Sequence, residues 1–277
     1  MKFFSLLSRL RIGTRIYAGF SVTLVLVAAL GGLGIYSLQG VKSTLLAFSQ
    51  ISDGNTDIAE LNALNLGLRR NAYAFAMTGD VQALADVRTS LTSLREAFTR
   101  AGAENTGDVK DRLQKIAAMV ENYANNFEVG VERRTARDNE NSTLTLAGLR
   151  ATGSIADIVT AATSGDNFEV AALGAAPLEA MMNARLTVAR FIELRDQKLV
   201  NAFNRYIAQY RDTVNKMKSK LTDPLLAELA KESVTNSEAY VRAFQSYAPM
   251  TVELEKLFFV ELEGQGQQIV RALDDIV

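Results

Sequence analysis

Arginines at helical spacing are the residues of this sequence with the most chemistry to offer. One run takes alternating steps of three and four: Val120, Tyr123, Phe127, Gly130, Arg134, Arg137, Asn141, Leu144, Gly148, Ala151, Ile155 and Ile158. That spacing belongs to a helix facing the core of a bundle, and in its middle it turns polar. A guanidinium in core phase without a partner is strongly unfavourable, so Arg134 and Arg137 imply carboxylate partners, water or an anionic ligand. Two more arginines, Arg69 and Arg185, occupy matching places in an internal repeat that aligns Leu66, Arg69, Phe75 and Asp80 with Met182, Arg185, Phe191 and Asp196. Counting residues along the helices puts Arg69, Arg137 and Arg185 at one height. Three guanidiniums are therefore expected to converge on a small carboxylate, which the planar fork of Arg grips with two parallel hydrogen bonds. Arg70, Tyr73, Arg134 and Asn141 are expected nearby, with Asn65 one turn from Arg69. The competing reading pairs these arginines with Glu132, Asp138, Glu193 or Glu255.

Composition narrows the rest. The sequence has no His and no Cys, which removes imidazole and thiolate chemistry, the common metal sites and disulfides. Neither a Gly-rich phosphate loop nor an acidic metal loop is present, so the chain reads as no enzyme, with no cofactor and no metal. The 30 Lys plus Arg against 31 Asp plus Glu leave no basic surplus for nucleic acid.

The elements that must hold such a site are helices. Three prolines, no Trp and abundant Ala and Leu suit long helices, and the fold class expected is all-α. Breakers with helix-end chemistry are few: Thr78-Gly79-Asp80, Asn105 to Asp108, Ser164 to Asn167, and Asp223-Pro224. They predict six helices near 42–78, 80–101, 108–163, 168–195, 197–220 and 225–277, four short and two long. If each repeat sends two short helices upward and returns as one long helix, two four-helix bundles stack end to end. The expected division is a proximal module of about 42–79, 131–196 and 250–277, and a distal module of about 80–130 and 197–249. Pro249 is expected to kink the last helix near the junction.

Lys2, Arg9, Arg11 and Arg15 precede an uncharged run from Ile16 to Val41, long enough to cross a bilayer. The basic flank predicts a cytoplasmic stretch 1–15, a span 16–38 in an inner membrane, and 39–277 on the periplasmic side. Val41, Leu45 and Phe48 keep an apolar stripe above that span, suited to a homodimer. Apolar spacing at Ile269, Leu273 and Ile276 still runs at the end, as expected of a helix leading to another crossing.

The opening IGTRIYAGFSVTLVLVAALGGLGIYSLQGV resembles the first span of bacterial methyl-accepting chemotaxis proteins, and the stacked bundles resemble their helical bimodular sensor domain. The resemblance implies a dimeric periplasmic sensor that binds a small organic acid or amino acid and signals inward by displacing its last helix to cytoplasmic partners. Sensor kinases and cyclases share such anchors. A helical module that contacts a periplasmic binding protein also fits these residues.

Overall fold

The computed structural model describes residues 57–276; the expected span at 16–38 and the stripe at Val41 to Phe48 lie outside them. Among the described residues the chain is all-α, with six helical runs and no strand. They are α1 (57–78), α2 (Val81–Glu104), α3 (Gly107–Ser164), α4 (Phe168–Leu194), α5 (Gln197–Lys218) and a last run. The last run comprises α6 (Pro224–Lys256), a π-helical segment (Leu257–Leu262) and α7 (Glu263–Asp274). Among the described residues no helix is long and apolar enough to cross a membrane.

The predicted breakers act as caps. Asp80, Asp196 and Asp223 each accept a hydrogen bond from a backbone N–H two residues on, and Asn167 accepts from Val170. Pro224 opens α6 at a position where its missing N–H costs nothing.

The two turns at Gly79 and Arg195 overturn the expected modules. Gly79 has φ +68° and Arg195 φ +53°, and each is followed by an extended Asp that caps the next helix. A left-handed residue followed by an extended one folds the second helix back on the first instead of extending it. The hairpin is tied by Asn71 Nδ2 donating to Ser90 Oγ at 3.0 Å and by Arg100 to Glu60 at 2.6 Å. Helix α3 consequently rises the full length of the molecule and the last run descends it.

One core then joins α1, α2, the N-terminal half of α3 and the chain from Leu254 to Leu273, with Leu61, Leu68, Phe75, Leu94 and Phe127 at its centre. This is the first bundle. The second joins the C-terminal half of α3 to α4, α5 and α6, around Ile155, Ile158, Phe191, Phe203, Tyr210 and Phe244. The boundary falls near Gly130 and Arg133, where Arg133 meets Glu253 at 3.6 Å.

Buried positions show the repeat more fully than the four pairs read from sequence. Val87, Leu91 and Leu94 correspond to Phe203, Ile207 and Tyr210, and Tyr123 and Phe127 correspond to Tyr240 and Phe244. Matching aromatic pairs result, Phe75 with Phe127 at 5.4 Å and Phe191 with Phe244 at 5.3 Å. Each repeat contributes its hairpin and the first half of its long helix to one bundle, then sends the second half of that helix into the other.

Candidate functional site

Both hairpin turns lie at the junction, so Arg69 sits about 15 Å to one side of it and Arg185 about 15 Å to the other, at 1.5 Å per residue. The structure does not bring Arg69, Arg137 and Arg185 together. The expectation of one height assumed short helices stacked end to end, and the hairpins remove that assumption.

Arg69 lies in the first bundle and is paired with Glu263 of α7. Its aliphatic stem crosses Gly266, where a Cβ would stand 2.6 Å from Arg69 Cδ. Burial raises the Glu263 pKa, but hydrogen bonds from Arg69 and Gln267 outweigh it and leave this carboxyl below its usual range. Buried Tyr123 lies close: burial pushes its phenol well above the usual range, with Arg69 pulling the other way. Asn65 is fully buried and donates to the Gly266 carbonyl.

Arg134 and Arg137 come together at the junction. Arg134 donates to the Ala76 carbonyl at 2.6 Å, closing the C-terminal end of α1, and stands 5.5 Å over the Phe75 ring. Arg137 donates to Asp138 at 2.9 Å, and Asp138 also lies 3.7 Å from Arg134. Burial, reinforced by Arg137, lowers the Arg134 pKa. This pair follows the competing sequence reading, a carboxylate partner. Arg70 and Asn141 are exposed, and half-exposed Tyr73 packs edge-on against Phe259.

Arg185 occupies in the second bundle the place that Arg69 holds in the first. It packs beside Gly148, the repeat partner of Gly266, and its charge is felt by buried Tyr240, the partner of Tyr123. It donates to Thr152 Oγ1 at 3.2 Å. Among the described residues no carboxylate pairs with it, because the position corresponding to Glu263 is Thr145. The surrounding core carries hydroxyls that the first bundle lacks. Tyr210 and Ser233 hydrogen-bond at 2.5 Å, Ser233 donates to the Ala151 carbonyl, and Ser237 and Thr187 are buried. In the first bundle Tyr210, Ser233 and Ser237 correspond to Leu94, Ile116 and Val120, and Thr187 to Asn71. Thr152, Tyr240 and Ser233 are neighbours that sequence reasoning missed; extending the repeat to Tyr123 and Tyr240 would have found the second.

A separate cleft of about 480 Å³ opens between α2 and α3, floored by Phe98, Leu113 and Val120 and rimmed by the Arg95–Glu121 pair. It is lined by none of the arginines singled out above.

Neither the known family models nor the curated proteins include a match to this sequence. Among solved structures, the chain is similar to the TorS sensor domain, seen in the crystal structure of the TorS sensor domain–TorT complex in the presence of TMAO. The TM-score is 0.53 at 10% identity, with 80% of this chain and 97% of that chain covered. At that identity the likeness is one of fold: the chain has the helical architecture of that sensor domain.

Proposed function

We propose that this chain is the extracytoplasmic sensing part of a transmembrane signalling receptor, and that it takes a small carboxylate in its second bundle. The observation that carries this reading is Arg185, a half-buried guanidinium without a carboxylate partner among the described residues, set beside Thr152 and Tyr240. A half-buried guanidinium bonded to a hydroxyl and without a carboxylate partner favours an anion with two acceptor oxygens. The likeness of fold to a sensor domain supports it. Residues 1–15 are then cytoplasmic, 16–38 span the inner membrane, and the last helix carries the signal inward, whether the output is that of a chemoreceptor, a histidine kinase or a cyclase. Two copies would meet through α1, where Ala59, Ala63, Leu66, Tyr73 and Met77 form an exposed seam with coiled-coil spacing.

Calorimetric titration of the whole chain in lipid nanodiscs against mono- and dicarboxylates tests the ligand. A charge-assisted hydrogen bond contributes roughly 1.5 to 3 kcal/mol, so Arg185→Ala should weaken binding about tenfold to a hundredfold. No heat with any acid would overturn it.

A second reading, docking of a partner protein, is favoured by one feature. Leu146, Leu149, Met182 and Leu186 are half or more exposed on α3 and α4, an apolar face on the second bundle. The similar TorS sensor domain was solved in complex with TorT.

A further inference from the structure

The last helical run contains one residue more than its repeat partner needs. Above the π-helical segment the correspondence is Tyr123 to Tyr240 and Phe127 to Phe244. Below it the buried positions Leu144, Gly148, Ala151 and Ile155 correspond to Leu262, Gly266, Ile269 and Leu273, each one residue further along. Helix α3 makes the same passage between the same two bundles as an unbroken α-helix. Packing therefore does not demand the extra residue, and the turn from Leu257 to Leu262 widens to hold it. Lys256 and Glu261, five apart, pair at 3.2 Å across this turn, a spacing at which an α-helix does not set side chains face to face. Immediately below, the Arg69–Glu263 pair fixes the register of α7 against α1.

We infer that the last helix stores a residue at Leu257–Leu262 and signals by releasing it toward its C-terminal end. On release the segment becomes α-helical and every residue of α7 takes the place of its successor. Gln265 arrives where Gly266 lies under the Arg69 stem and Gln268 where Ile269 is buried, so the released state unseats the lower core and requires Arg69 to swing aside. The shift is about 1.5 Å along the axis with a turn of about 100° around it. Leu262 then replaces Glu263 opposite Arg69, so the ion pair acts as the latch. Phe258 sits against Gly130 and the rings of Phe75 and Phe127, which ties the upper edge of the segment to the junction. The inference rests on the sensing reading for its purpose, but its test needs no ligand.

Deleting the exposed Val260 should remove the stored residue without moving either half. The whole chain lacking Val260 is expected to melt at or above the native temperature, whereas deletion of exposed Asn139 from α3, which stores nothing, should lower it severely. Spin labels at Ala63→Cys and Arg271→Cys report the register by pulsed EPR. Glu263→Ala should open the latch and shift the distance distribution by several ångström in the native background, and leave it unshifted when Val260 is deleted. Equal damage from both deletions, or an unmoved distribution in Glu263→Ala, would overturn the inference. Failure of the sensing reading would appear instead in the carboxylate titrations, with these results intact.

Discussion

The two bundles are built on one plan and filled differently. The first sets Leu94, Ile116 and Val120 where the second sets Tyr210, Ser233 and Ser237, and it neutralises its repeated arginine with Glu263 where the second has Thr145. One scaffold thus supports a charge-balanced stack and a hydroxyl-lined interior whose repeated arginine has no carboxylate partner among the described residues. The difference teaches that the arrangement of helices is indifferent to what each bundle encloses, which a few core-facing residue types decide.

The comparison breaks most visibly if the first core is given the second's chemistry. Ile116→Ser removes buried apolar volume and leaves a hydroxyl without the Tyr210-type partner, at a cost of roughly 3 to 5 kcal/mol in chemical denaturation. An effect below about 1 kcal/mol would mean the first core tolerates polarity as the second does.

Glu263→Ala strips Arg69 of its partner and should cost about 1 to 3 kcal/mol, since the guanidinium is largely but not wholly buried. The folded-state pKa of Glu263 is depressed, so its contribution is complete above the unfolded carboxylate value, about 4.3, and is lost as pH falls through the lower folded value. Melting curves of native protein and Glu263→Gln should converge only once pH has fallen below that depressed value. A gap that persists there would separate the stabilisation from this titration.

The reverse change sharpens the comparison. Thr145→Glu places a carboxylate where the repeat has Glu263, and should pair with Arg185 while raising stability by less than about 1 kcal/mol. Carboxylate affinity should fall more than tenfold in calorimetry, and unchanged affinity would detach Arg185 from the ligand.

The smallest effect concerns the turns. Gly79 suits its left-handed backbone and Arg195 does not, so Arg195→Gly should gain about 0.5 to 1 kcal/mol, partly offset by losing the exposed pair with Glu255. A net loss in thermal melts would show that this ion pair outweighs the backbone strain.

Helix positions were legible because their ends are written in local chemistry. The expected 108–163 and 168–195 meet Gly107–Ser164 and Phe168–Leu194, and Pro224 stands at the predicted start. The pairing of helices was not legible. Whether a Gly79 turn stacks or reverses is decided by dihedral angles that periodicity does not record, and at Arg195 even the residue type gives no hint. The site suffered from the same cause. The Arg69–Glu263 contact spans 194 positions in sequence, and nothing local to either residue announces it. The π-helical segment at Leu257–Leu262 escaped as well: the sequence marked only Pro249, which sits within α6, as a source of irregularity in the last helix.

The contact between Arg133 and Glu253 marks where the chain leaves the first bundle and where it comes back. Everything between these residues is one continuous excursion, and its two ends lie side by side. The second bundle is thus an insertion hung on two adjacent struts. A chain in which a short turn joins α3 to the last run at that level would keep all four helices of the first bundle in register. Helical stacks with one storey or two, built on the same base, are within reach of a single deletion or insertion.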